Sequence, residues 1–207
     1  MVTIKVYVEG GTIDQNASDA DINNSAALRQ SLSELFNRFG QQTFKIECEM
    51  CGSYTKAVKQ FKESIDITAL LLMDLDDLPS NRAEKIRQLQ LEGEQNRVFF
   101  MIQEMEAWFI SQTDLIAVSL KERGYETKLE NDLSEDESIK NVEISTIKKP
   151  SILWTRLIPN YFFEVKNGIE KPLKYGKLKN APMFIRFLDI NRLRNDFIDV
   201  ENLLNLH

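Results

Sequence analysis

Histidine is all but missing from this chain: the one present is His207, the last residue of the sequence. A Ser/His or Cys/His hydrolase is thereby excluded, because both need an imidazole base inside the fold. Cysteine is nearly as scarce. Cys48 and Cys51 form a Cys-x-x-Cys pair, the spacing of half a zinc site or of a redox dithiol. With no further cysteine and no internal histidine to complete a site, two ordinary reduced thiols in a strand-to-helix turn are expected. No long uncharged apolar run occurs and the first ten residues lack a signal-peptide pattern, so a cytoplasmic protein without a membrane association is expected. Also absent is Gly-x-x-x-x-Gly-Lys-Ser/Thr, which excludes an ATP site of that kind and assigns any ATP-driven step to a partner. Carboxylates, lysines and a metal are what remain for chemistry.

The chain has 207 residues and a formal charge of −6, enough length for one domain with an appendage. Residues 2–8 alternate as a strand and end at Glu9-Gly10-Gly11, a turn-forming sequence. Residues 12–23 are polar without period and are expected to be a loop. Residues 24–39 have apolar positions at three- and four-residue spacing, predicting a helix closed by Gly40. A strand over 44–48 follows, then a helix over 54–64 capped by Ser53 with Tyr54, Ala57, Val58 and Phe61 inward. The aliphatic run 65–73 predicts a strand buried on both faces, followed by a charged helix over 80–91, a strand over 97–102 and one long helix over 104–123. Strand and helix alternate throughout. The expected fold is therefore α/β, three-layered, with a mainly parallel four-strand sheet over residues 1–124. Residues 125–207 are expected to form an acidic connector and a helix-rich C-terminal extension packing on it. The connector, 126–143, carries seven acids against Lys128 and Lys140 and is expected to lie in solvent. Between Lys166 and Arg194, eight Lys or Arg residues oppose only Glu170 and Asp189. That asymmetry suits either an anionic partner or a plain charged surface.

Chemistry concentrates where strands end. Leu70-Leu71-Leu72-Met73 runs into Asp74-Leu75-Asp76-Asp77, three carboxylates within four positions. In an extended chain Asp74 and Asp76 share a face and Asp77 takes the other. Glu9 follows the first strand, and Glu104 and Glu106 follow the fourth. In an open parallel sheet these carboxyl ends share one edge, where ligands gather. Such acids suit Mg²⁺ or Mn²⁺, hard cations that take oxygen ligands and would polarise a phosphodiester. Each acid also has an ordinary reading, Glu9 as a turn residue and Asp74 to Asp77 and Glu106 as helix N-terminal charge. Met105, Trp108 and Phe109 read as core.

A strand ending in Glu-Gly and a third strand ending in Asp-x-Asp resemble the Toprim domain of topoisomerases, primases and the overcoming-lysogenization-defect nucleases. The resemblance implies a Toprim-like (Rossmann-like) fold, Glu9 as acid/base or metal ligand, and Asp74 and Asp76 as Mg²⁺ ligands, with Asp77 and Glu106 in support. More narrowly, Val8-Glu9-Gly10-Gly11, Cys51-Gly52-Ser53, Met105-Glu106-Ala107-Trp108-Phe109 and Tyr175-Gly176-Lys177 resemble the bacterial DUF4276 family. This implies a nuclease-like protein beside an ATPase of the ABC or SMC type, in defence against phages or mobile elements. A histidine expected a few residues after Lys177 is replaced here by Leu178-Lys179-Asn180, which makes the late lysines candidate phosphate ligands, Lys177 first.

The reading from sequence is a Mg²⁺-dependent nuclease or nickase with Glu9 and Lys177 catalytic. It would act on DNA or RNA, bind it weakly and in a salt-sensitive way when alone, and a homodimer is compatible with it. The alternative is a non-catalytic Toprim-like docking subunit of an ATPase complex. A phosphatase of the haloacid dehalogenase type fits poorly, since its Asp-x-Asp follows the first strand.

Overall fold

A computed structural model describes residues 2–11, 18–40, 43–128 and 132–205. Strands β1 (Val2–Val8), β2 (Phe44–Met50), β3 (Leu70–Asp74) and β4 (Val98–Met101) form one sheet in the order β2-β1-β3-β4, parallel throughout. The helices between them are α1 (Asp19–Asn37), α2 (Tyr54–Glu63) and α3 (Arg82–Gln88). Right-handed crossovers in this order put α1 on one face and α2 and α3 on the other. The chain steps from β1 to one side and then returns past it to β3, so the strand order reverses between β1 and β3. That switch point opens a crevice at the carboxyl ends of these two strands.

After β4 come α4 (Glu106–Ser111) and α5 (Thr113–Glu122), then α6 (Pro150–Tyr161) and a three-strand antiparallel sheet of β5 (Glu126–Thr127), β6 (Phe162–Lys166) and β7 (Ile169–Pro172). Helices α7 (Lys177–Phe187), α8 (Ile190–Asp196) and α9 (Ile198–Leu204) complete the chain. One cluster of buried side chains runs from β1 to α9. Its aromatic centre is Phe109, Trp154 and Phe184, with ring centroids 5.4–5.7 Å apart. Such tilted and edge-on pairs add about 0.5–1.5 kcal/mol each beyond their buried area. Helix α7 lies along α1, and α9 lies along β4. Asp199 of α9, 2% exposed, pairs with Arg82 Nε of α3 at 3.2 Å.

Several expectations needed correction. The buried strand is Leu70–Asp74, not 65–73, and Ile65 and Ile67 are 100% and 83% exposed. Asp66 explains this: its carboxylate accepts from the Thr68 N–H and hydroxyl, and its carbonyl from the Ala69 N–H, making a polar turn that the apolar count misses. Helix α1 begins at Asp19, capped by Ser18, inside the stretch expected to be loop; residues 12–17 lie outside the described residues. The helix expected over 104–123 breaks at Gln112 (φ −130°), whose side chain exchanges hydrogen bonds of 3.0 and 2.7 Å with the backbone of Asp189. The helix expected over 80–91 is shorter, a 3-10 turn Pro79–Asn81 leading into α3. Tyr54 is exposed rather than inward. The acidic connector is anchored by buried Leu133 and Ile139, while residues 129–131 lie outside the described set. The β6-β7 hairpin was not foreseen; its turn is Asn167-Gly168, both at positive φ, the geometry that favours this dipeptide. No helix among the described residues is long and apolar enough to cross a membrane.

Candidate functional site

Glu9 leaves β1 at the switch point. Its N–H still donates to Leu72 O of β3 (3.0 Å), while its Oε2 accepts from the N–H of Asp74 (3.2 Å). The next two residues hold it there. Gly10 exchanges backbone hydrogen bonds of 2.7 and 2.8 Å with Gly52, and Gly11 sits at φ +74°, where a Cβ would lie 2.9 Å from Met50 Cβ. Only glycine accepts that conformation and that closeness.

Asp74 is the last residue of β3 and is 8% exposed. One oxygen accepts from the Met105 N–H (3.1 Å) and the other lies 3.0 Å from Lys177 Nζ, on the first residue of α7. Lys177 also faces Glu106 Oε2 at 3.7 Å. Glu106, the first residue of α4, is fully buried; its Oε1 accepts from the Tyr175 hydroxyl (2.6 Å), and its Oε2 has no hydrogen-bond partner among the described residues. A second lysine repeats the arrangement. Lys149 Nζ lies 3.3 Å from Asp76 and 3.4 Å from Glu104, whose other oxygen accepts from the Ser151 N–H (2.8 Å).

Glu9, Asp74 and Lys177 open together into a cleft of about 220 Å³, floored by Leu28, Leu32 and Met105. Burial, reinforced by the Asp74 charge, pushes the Glu9 carboxyl up to about 7. Burial likewise pushes Asp74 up to about 6, with Glu106 adding to the shift and Lys177 opposing it. For Lys177 burial works against the ammonium, but Asp74 and Glu106 outweigh it and raise its pKa. Glu104 stays below its ordinary range because the Ser151 hydrogen bonds and Lys149 overcome its burial. The cleft thus holds two acids raised toward neutrality beside an ammonium, an arrangement suited to moving a proton next to a developing negative charge.

Most of the carboxylates read from the sequence come together. Glu9, Asp74 and Glu106 join through hydrogen bonds and Lys177, and Asp76 joins Glu104 through Lys149. The alternation expected past Asp74 fails, because Asp76 turns left-handed (φ 56°) and donates its N–H to Gln103 O, itself left-handed (φ 58°). Non-glycine residues held in this region store about 1–3 kcal/mol each and cluster at functional sites. Asp77 does not join: exposed, it accepts from the Leu78 N–H and bonds Asn81, serving the turn into α3. Sequence reasoning did not single out Lys149 or the hydroxyl of Tyr175. The only local sign of Lys149 is a Lys-Lys-Pro sequence opening a helix, and no spacing rule links it to Asp76, 73 residues away. Cys48 and Cys51 are free and buried, and burial pushes both thiols up to about 12. Thiols so raised are unreactive.

The donor set suits a hard divalent cation in kind, all oxygen, with Glu106 Oε2, which faces Lys177 without a hydrogen bond among the described residues, in it. In spacing it is not a ready cage. Among the described residues no group of three or more acids, histidines or cysteines converges on one point, and the two ammonium groups stand between the acids.

No curated protein and no solved structure matches this chain. Residues 24–206 match the family model described as "Domain of unknown function (DUF4276)", a span that holds Asp74, Asp76, Glu106 and Lys177 and begins after Glu9. The chain therefore belongs to the DUF4276 family.

Proposed function

We propose that this protein is a Toprim-like, Mg²⁺- or Mn²⁺-dependent nuclease that hydrolyses or nicks a phosphodiester strand. The observation that carries the reading is the meeting of Glu9, Asp74 and Lys177 in one cleft at the strand switch point. Asp74 and Asp76 would hold the cation, with water and phosphate oxygens filling the rest of its shell, Glu106 in support and Asp77 left to its turn. When bound there, the cation supplies Lewis-acid polarisation of the phosphodiester and charge neutralisation. Lys177, released from Asp74, ligates the scissile phosphate as a point charge. Glu9, beside Asp74 in the cleft, would take the proton of the attacking water. The apolar floor of the cleft strengthens these interactions by limiting water.

An ATPase partner of the ABC or SMC type and a role in defence against phages or mobile elements complete the proposal. They rest on the family resemblance alone. A second reading, a non-catalytic docking subunit, is favoured by the lysine pairing, which offsets part of the acids' charge without any metal.

Calorimetric titration of the protein with Mg²⁺ and Mn²⁺, beside an Asp74→Ala/Asp76→Ala variant, tests the proposal. Saturable binding lost in a still-folded variant, followed by metal-dependent cleavage of an oligonucleotide, is the expected result. Lack of Mn²⁺ binding with nucleic acid and ATPase present, together with full in-cell function of the variant, would leave the docking reading.

A further inference from the structure

Four of the five lysines between Lys166 and Arg194 gather in one place. An open groove of about 700 Å³ is lined by Lys166 and Lys171 of the hairpin, Lys174, Lys179 of α7, and the tyrosines Tyr125 and Tyr175. Four lysines there oppose Glu164 and Glu170. Lys166 is paired with Glu164 at 2.8 Å, whereas Lys171, Lys174 and Lys179 are exposed and make no ion pair among the described residues. In a chain of net charge −6, a groove with four lysines against two glutamates, three of the lysines free of any ion pair among the described residues, keeps a local positive excess that gains from a bound polyanion.

The groove is joined to the site. Tyr175 lines it and donates its hydroxyl to Glu106, and Gly176, also in the lining, precedes the Lys177 that reaches Asp74. The tyrosine surfaces beside the lysines match the lining of single-strand channels, where bases stack on rings while ammonium groups track phosphates. Tyr175 is already packed against Phe109 and Phe184, which leaves the half-buried Tyr125 as the stacking surface.

We infer that this groove binds a single strand of nucleic acid and leads its backbone into the Glu9–Asp74–Lys177 cleft. The inference rests on the nuclease reading for where the strand goes, but its test does not need cleavage. Fluorescence anisotropy of labelled single-stranded DNA and RNA oligonucleotides, with a duplex for comparison, is measured in EDTA over a salt series. The expected result is weak single-strand binding whose log K falls with log salt at a slope of about −2, as three phosphate contacts at about −0.7 each require. Lys171→Glu/Lys174→Glu/Lys179→Glu should weaken it at least about tenfold and flatten the slope, while Lys56→Glu/Lys59→Glu/Lys121→Glu, the same charge change elsewhere, should keep the steep slope. Thermal melts of both variants report folding. Absence of single-strand binding by the parent, equal binding by the groove variant and the control variant, or a preference for the duplex would each overturn the inference. Groove-dependent binding in EDTA without cleavage when metal and partner are supplied would count against the nuclease reading and leave the groove in place.

Discussion

Replacing Glu9 by glutamine should stabilise this protein at neutral and alkaline pH, and by an amount that depends on pH in a defined way. Glutamine keeps an oxygen to accept from the Asp74 N–H, so the geometry survives while the buried charge goes. In the parent, Glu9 rises from an ordinary 4.5 in the unfolded chain to about 7 in the folded one, through burial first and Asp74 second. Below 4.5 it is protonated in both states and contributes nothing. Between 4.5 and 7 the unfolded chain gives up its proton while the folded chain keeps it, so the folded state loses stability as pH rises. Above 7 the loss is complete. At about 1.4 kcal/mol per unit the shift bounds the effect at about 3.5 kcal/mol, and the residual solvent contact of Glu9 brings the expectation to about 1–3 kcal/mol.

The assay is urea denaturation of parent and Glu9→Gln, metal-free, from below pH 4.5 to well above pH 7. The two proteins should coincide at the acid end and separate through the window, with the variant the more stable. Asp74 titrates in both, so the difference reports Glu9 together with its coupling to Asp74. A difference independent of pH, or a variant less stable than the parent above pH 7, would refute the reasoning. Glu9 would then not be buried against Asp74.

Tyr175→Phe removes the hydroxyl that donates to the fully buried Glu106 and should cost about 1–3 kcal/mol in the same assay. Arg82→Ala strips the 2%-exposed Asp199 of its cation and should cost about 2–3 kcal/mol, short of the full buried-pair value because Arg82 is 31% exposed. Asp199 is already raised by its burial, so that loss should be larger at neutral than at acid pH. Ile65→Ser/Ile67→Thr should change stability by less than about 0.5 kcal/mol, because both side chains lie in solvent; a loss of several kcal/mol would restore them to a strand.

What the sequence made legible follows from where local forces decide structure. β1, β2 and α2 were readable because alternation, three-and-four spacing and the Ser53 cap act within a few residues. The ends of β3 and the break at Gln112 were not, since the first depends on a side-chain turn at Asp66 and the second on a contact to Asp189, 77 residues on. The same division runs through the site. Glu9, Asp74 and Glu106 could be placed from strand ends alone, because a parallel sheet aligns its carboxyl edges. Their counter-charges come from loops and helices whose packing no periodicity encodes, and Asp77, which alternation set on the other face and only the resemblance drew into the site, serves the turn into α3.

Lys149 and Lys177 carry a consequence for how the chain is divided. The acids Glu9, Asp74, Asp76, Glu104 and Glu106 all come from the sheet and its edges, whereas Lys149, Tyr175, Lys177 and the groove lysines all come after residue 124. Carboxylates crowded at one sheet edge repel one another unless cations or protons stand between them. A fragment ending at residue 124 would keep the acids and lose both ammonium groups, and α1 would lose the cover of α7. Such a fragment should fold poorly at neutral pH and gain from acid or from divalent cation, the two remaining ways of neutralising the edge. The C-terminal region is thus part of the site: it supplies the charges that let the acids be buried, and those same charges must yield if a metal and a phosphate are to enter.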